Sequence, residues 1–489
     1  MSISALIKGF QGAGNDAAPP LSAGLPPELL LKEGILSDPE KPDQAYRRAR
    51  GLAQHGRYKA ARDLLCPHSR VEDPALRLKI NELLARCAMR GGGGDWEELL
   101  TATGAGYDAA GDKLGAARAR RDLGEMFLDA GRIEEAEVLF KAATEAFVAQ
   151  ADQVRAAKVE CLRARARLRA GYVRRALDRI TAAVFTFTEL GDGRALALAR
   201  LERACILARS GDGIAAARDL LAAERYLSSS GSAFDRLRAR LARAECLLIL
   251  GDHERAAHGL KRILVDVVDL EEIPIRAYVH TLLGQALMEL DPSAARQALM
   301  RGRHLYASVK LDYQVVVADL ALARVEHRVG LDARGRLKQL VGRPIVNWPC
   351  LASMMSLARA ELFAERNPDQ ARLALFKARS FAADSGDRAL LAEVDRVLLM
   401  TGLATADEVQ RLTPAAALST HPMVQAGIGA VPGAARPRPE PFAISDVSSD
   451  HGVVVRTRLD KVARRINPDT SAPMIPALRS PKVAGVRIA

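Results

Sequence analysis

Between Leu114 and Asp291 the apolar positions return with a helical period, and the whole phrase restarts every 40 residues. A turn residue stands at Gly131, Gly171, Gly211, Gly251 and Asp291. Seven residues before these turns come small side chains: Gly124, Ala164, Ala204, Ala244 and Gly284. Five after the glycines come Ala136, Ala176, Ala216 and Ala256, and nine after all five turns come Phe140, Ile180, Leu220, Leu260 and Met300. Small residues at fixed places let two helix backbones approach, and the bulky ones fill the groove between them. Glycine after the first helix supplies the left-handed conformation in which helices commonly end. The unit is therefore a helix, a tight turn and an antiparallel helix. One such hairpin cannot bury its apolar face alone, so neighbours must stack.

The phrase extends beyond this stretch. Gly56, with Ala49 before it and Ala61 and Leu65 after it, marks a first unit beginning near Asp43. Pro74–Met89 reads as an amphipathic helix, followed by four glycines at 91–94, Asp95 as an N-cap and Trp96 as a packing residue. No Lys-Ser or Lys-Thr follows the glycines and no strand precedes them, so they are a turn and not a phosphate loop. Asp291-Pro292 and Asn367-Pro368 replace glycine turns with a cap and a proline at the first helical position. Between them, Ala323, Gly330 and Gly335 occupy the small positions, and a short second helix ends at Gly342 before a loop over Val346-Asn347-Trp348-Pro349. Ala360, Ala371, Phe376 and Ala378 carry the next unit. Arg388–Met400 adds a helix that ends at Gly402, and 406–412 is expected to cap the array. Prolines break up residues 1–42, which are expected to be flexible apart from a short helix over Pro27–Glu33. From 413 to 489 prolines recur, and ten Arg and Lys stand against five Asp and Glu, so a largely disordered basic tail is expected, with one ordered island over Val453–Ile466. The expected architecture is all-α: an α-solenoid, a right-handed superhelix of about nine helix-turn-helix units over residues 43–412.

The small residue before the turn, the turn glycine, the alanine five later and the bulky residue nine later resemble the tetratricopeptide repeat family. The unit of 40 exceeds that family's usual length of about 34, which is similar to the extended arrays of bacterial regulators and scaffolds. The resemblance implies that first helices line a concave groove where peptides bind. It places the groove-facing residues 13, 10, 9, 6, 3 and 2 before each turn. On that basis Arg118, Lys158, Arg165, Arg169, Arg209 and Arg238 face the groove, with Leu128, Leu168, Leu248 and Met288 as its apolar part. The arginines suit carboxylates or phosphates, or else pair with Glu160, Glu202 and Glu245 on neighbouring turns and units. Asp122, Leu162, Glu202, Ala242 and Leu282 stand where the family's chaperone-tail clamp needs asparagine. A clamp of that kind is not expected.

Composition adds limits. Aromatics are 4% of the chain, as befits close-packed helices built on small residues. The formal charge of +12 raises acidic partners. Cys66, Cys87, Cys161, Cys205, Cys246 and Cys350 show no metal-ligand spacing, and those in first helices read as buried free thiols. His253 and His258 lie five apart, which does not place them on one helix face for a metal. No apolar run reaches the ~18 residues of a membrane span. No nucleophile elbow or zinc-protease motif is present. The expectation is a cytoplasmic, non-enzymatic adaptor without cofactor or metal, binding an acidic or amphipathic protein segment in its groove. The alternative is a transcription-linked or nucleic-acid-associated regulator acting through its basic surface and tail. Oligomeric state does not follow from the sequence.

Overall fold

A computed structural model describes residues 41–411, apart from 93–94, 269, 344–347, 406 and 409–410. The expected N-terminal helix, the tail with its island and most of the closing cap lie outside the described residues. Among those described there are nineteen α-helices and no strand. They form nine antiparallel pairs and a closing single helix. The pairs are α1 (Pro42–Gln54) with α2 (Tyr58–Leu65), α3 (Pro74–Gly91) with α4 (Trp96–Ala109), and α5 (Lys113–Ala130) with α6 (Ile133–Ala149). Next come α7 (Gln153–Arg169) with α8 (Val173–Glu189), α9 (Gly193–Arg209) with α10 (Gly213–Ser230), and α11 (Ala233–Ile249) with α12 (His253–Asp266). The last are α13 (Ile273–Leu287) with α14 (Pro292–Ser308), α15 (Asp312–Arg328) with α16 (Arg334–Val341), and α17 (Pro349–Phe363) with α18 (Pro368–Ser385), followed by α19 (Arg388–Met400). The chain is an α-solenoid of tetratricopeptide-like hairpins.

Local chemistry fixes the ends. Asp112, Asp152, Asp192, Asp212 and Asp252 cap helices by accepting a backbone N–H three residues on. Ser232 and Asp235 make a reciprocal capping box at the start of α11. Gly131, Gly171, Gly211 and Gly251 sit at φ of 85° to 88°. The amide after each glycine donates to the carbonyl five residues back, as from Arg132 to Phe127 at 2.8 Å, which satisfies the helix end. The small positions are where the two helices of a pair touch. A Cβ on Gly124 would lie 2.7 Å from the Phe140 ring, and one on Gly284 would lie 2.4 Å from Leu299 Cγ.

The proline-turn units depart from the expected register. Asp291 and Asn367 donate their amides four residues back, to Leu287 and Phe363, each at 2.8 Å, so the left-handed residue is missing and the second helix starts one residue early. The bulky buried position therefore moves to eight after the turn. Leu299 is fully buried and Met300 is 46% exposed; Leu375 is 2% exposed and Phe376 is 72% exposed. Gly335 is a second correction. It meets no neighbour within 4 Å, and Ala333, Leu337 and Leu340 do the packing of the short α16 instead. Trp96 packs as expected, edge-on to Phe127 with centroids 6.4 Å apart.

The core runs as a sequence of clusters, each shared between neighbouring pairs. A second set of contacts joins inner helices five units apart: α3 with α13, α5 with α15, and α9 with α19. Gly171, at the end of α7, lies against Pro349 and Cys350 at the start of α17. The coil of hairpins thus returns onto itself every five units. The turn loops of one layer rest on the first residues of inner helices in the next.

Candidate functional site: the inner helix faces

The odd-numbered helices carry the residues assigned to a groove. Their arginines are engaged with carboxylates of the same chain. Arg165 lies 2.7 Å from Glu202 and 3.6 Å from Glu125. Arg238 approaches the same Oε1 of Glu202 at 4.0 Å. Arg90, which the sequence did not single out, bridges Glu125 at 3.0 Å and Glu272 at 2.7 Å. The result is a ladder of alternating charge across the inner faces of α3, α5, α7, α9 and α11, ending on Glu272, the N-cap of α13. Burial pushes the Glu272 carboxyl above its ordinary range, against the pull of Arg90.

Arg169 and Arg209 occupy the same place, two before their turns, and reach different partners. Arg169 bonds Asp129 at 2.7 Å, donates to the Leu128 carbonyl, and lies 5.3 Å from the centre of the Tyr313 ring in the next layer. Arg328 repeats this bracket with Glu289 and the Met288 carbonyl. Arg209 has an arginine, not an acid, two before the preceding turn. It turns to Asp387 at 3.4 Å and to Glu245 at 4.0 Å. Arg118 lies over the Tyr107 ring at 5.5 Å and 3.6 Å from Glu82.

A second network joins the C-terminal ends of α13, α15 and α17 to the middle of α19. Arg324 bonds Glu361 at 2.7 Å and Glu393 at 2.6 Å; Arg328 bonds Glu361 at 3.0 Å; Arg396 bonds Glu393 at 2.6 Å and Glu289 at 3.0 Å. Burial raises the Glu361 carboxyl, yet Arg324 and Arg328 outweigh it and hold Glu361 at about 2. Asp122 is held at about 2 in the same way, burial being overcome by Arg121 and Arg86.

The apolar part of the expected groove fares differently. Leu128 and Met288 are buried and face no groove; Leu128 is fixed in the core that also holds Phe140. Leu168 is half-buried on the core around Ile180, and Leu248 is half-buried. Lys158 is exposed. Of the three glutamates expected to pair with groove arginines, Glu202 and Glu245 do so, while Glu160 takes Arg163 and Arg179 instead. The second-layer partners Tyr313, Asp387 and Glu272 carry no local sequence signal, since each lies well over a hundred residues from the side chain it meets.

Cys205 and Cys246 are buried with their sulfurs 3.8 Å apart, and Cys161 is half-buried. The Cys246 thiol beside it, and then burial, raise the Cys205 thiol well above its ordinary range. Among the described residues no group of three or more His, Cys, Asp or Glu is placed to hold a metal, and no helix is long and apolar enough to cross a membrane.

No protein-family model matches the sequence, and comparison with curated proteins gives no match. Solved structures with similar folds include a human IFIT1 dimer with PPP-AAAA, at 14% identity and a TM-score of 0.41, over 81% of this chain and 94% of that one. Yeast Tom70 matches at 13% identity and a TM-score of 0.34, over 88% of this chain and 97% of that one.

Proposed function

We propose that this chain is a non-enzymatic interaction scaffold, a cytoplasmic adaptor of the extended tetratricopeptide type, that binds an acidic or amphipathic protein segment along its inner helix faces. The observation that carries this reading is the looseness of particular pairs within an otherwise tight ladder. Arg238–Glu202 and Arg209–Glu245 stand at 4.0 Å, Arg165–Glu125 and Arg118–Glu82 at 3.6 Å. Arg238 keeps 36% of its side-chain surface and Arg209 keeps 32%. Guanidinium groups held this way can exchange a distant internal carboxylate for a closer one on a ligand, with little new desolvation. Lys158, assigned to that face by its place in the repeat, adds an exposed cation.

A rigid array also lowers the ordering cost of binding, because the wall is braced by the next layer before any ligand arrives. The nucleic-acid alternative draws on the basic balance of the chain.

The test is affinity capture from a lysate with the full chain and with an Arg165→Glu/Arg238→Glu variant, read by mass spectrometry, followed by titration of the captured polypeptide. We expect a discrete polypeptide retained by the wild type and weakened at least tenfold by the variant, about 1.4 kcal/mol or more. Equal capture by both chains overturns the inner-face assignment. A salt-steep affinity for random duplex DNA, with no polypeptide captured, favours the alternative.

A further inference from the structure

The outer helices are strongly polarised in charge. Helices α4 and α6 carry seven carboxylates, Glu97, Glu98, Asp108, Glu134, Glu135, Glu137 and Glu145, against a single Lys141. Helices α14 and α16 carry six Arg and Lys and no acid. Part of each set is used internally. Arg132 holds Glu97 and Glu135, while Arg163 and Arg167 hold Glu137. On the basic side Asp319 and Glu326 take Arg296, Arg303 and Arg336. What is left exposed is Glu98, Glu134 and Glu145 on one side, and Arg301, Lys338 and Arg334 on the other, Arg334 holding only a loose 4.0 Å contact with the exposed Asp332.

The fold places these two sets together. Helix α3 meets α13 and α5 meets α15 across the layer contact, and a Cβ on Gly92 would touch Ile273 and Val309. The second helices of those four units therefore flank the same side of the coil, acidic in one layer and basic in the next. Large apolar side chains stand exposed in both halves: Val138 and Val148 on α6, Met300 on α14 and Val341 on α16. An acidic half beside a basic half, each with apolar anchors, is self-complementary under a two-fold axis. A second copy turned end over end lays its basic half on the first copy's acidic half, and the reverse.

We propose that this side of the array is a homodimer interface, closed by Glu98, Glu134 and Glu145 of each copy against Arg301, Arg334 and Lys338 of the other. The occupant is a second copy because charge complementarity holds in both halves at once, which an acidic peptide or a nucleic acid would satisfy in only one. The interface uses outer helices and stands independently of the inner-face reading. Its electrostatic part is exposed at the rim, so it governs association and partner choice and weakens with salt.

Sedimentation velocity on the full chain tests this. The wild type is expected to be dimeric at micromolar concentration in low salt, with its dissociation constant rising at least tenfold in 1 M salt. A Glu98→Lys/Glu134→Lys/Glu145→Lys variant reverses the proposed contact charges of the acidic half, and an Arg301→Glu/Arg334→Glu/Lys338→Glu variant reverses those of the basic half. Each alone is expected to be monomeric, and an equimolar mixture is expected to give a one-to-one dimer. Circular dichroism confirms that each variant is folded. If one is not, the single changes Glu134→Lys and Lys338→Glu carry the same mixing test. A monomeric wild type across the concentration range, a triple variant that dimerises as the wild type does, or a mixture that stays monomeric overturns the proposal.

Discussion

The Arg209 guanidinium lies 3.4 Å from the carboxylate of Asp387, 178 residues further along the chain. This pair ties the end of α9 to the start of α19 in the next layer. Asp387 is buried and also caps α19 by accepting the Leu390 amide at 2.9 Å. Arg209→Met leaves that carboxylate without its cation. We expect a loss of about 1–2 kcal/mol, discounted for the partial exposure of the guanidinium. Hydrogen exchange should rise in 388–400 before it rises in the central units. Unchanged exchange there would mean the layers are held by packing alone.

The shifted register of the proline-turn units makes neighbouring residues unequal. Leu299→Ala and Leu375→Ala should each cost about 2–5 kcal/mol, as truncations of buried side chains. Phe376→Ala should stay within about 0.5 kcal/mol, since its side chain lies largely in solvent, and Met300→Ala, whose side chain is about half exposed, should cost clearly less than Leu299→Ala. Denaturant melts of the four variants decide it, and the reverse order would return the bulky position to nine after the turn.

Glycines in this array have opposite tolerances. Gly284→Leu drives a side chain into Leu299 and should cost at least about 1–3 kcal/mol. Ala216→Arg, at a fully buried small position, should cost as much by the same mechanism. Gly259, inside α12, meets nothing within 4 Å, so Gly259→Ala should raise stability by about 0.5–1 kcal/mol through helix propensity. The three melting temperatures together test whether close approach, and not glycine content, sets the repeat.

Acid should weaken the ion pairs between neighbouring inner helices over a defined window. Glu361 titrates near 2 in the folded chain against an ordinary 4.5, because Arg324 and Arg328 overcome the effect of its burial. A folded value below the unfolded one gives stability that is fully present above about pH 4.5 and drains away as pH falls toward 2. Asp122 acts in the same direction from 3.8. Glu272, raised by burial, opposes them. Glu361→Gln should therefore lower stability at neutral pH and flatten its fall in acid. A variant whose acid unfolding curve keeps the wild-type slope would remove Glu361 from that account.

The repeat was legible in the chain because its causes are local. A glycine free to adopt positive φ, an aspartate that accepts a backbone amide three residues on, and small residues opposite bulky ones act within one hairpin or between neighbours. Forty-residue spacing records them directly. Even the missed register at Met300 and Phe376 is local, since a cap followed by proline removes the left-handed residue and advances the second helix by one. What the inner arginines would meet was not legible. Arg169 and Arg209 hold equivalent places in the repeat, yet one brackets the preceding unit while the other reaches Asp387. That Arg209 lacks an acid in the preceding unit is written locally, but that Asp387 is there to meet it depends on which unit comes round five hairpins later, and so on a small rotation per unit summed over the coil. No window of sequence contains the sum. The residues alone determined hairpins that must stack. Tertiary structure alone decided that the stack returns onto itself and that Arg90 and Arg209 find Glu272 and Asp387 in the next layer.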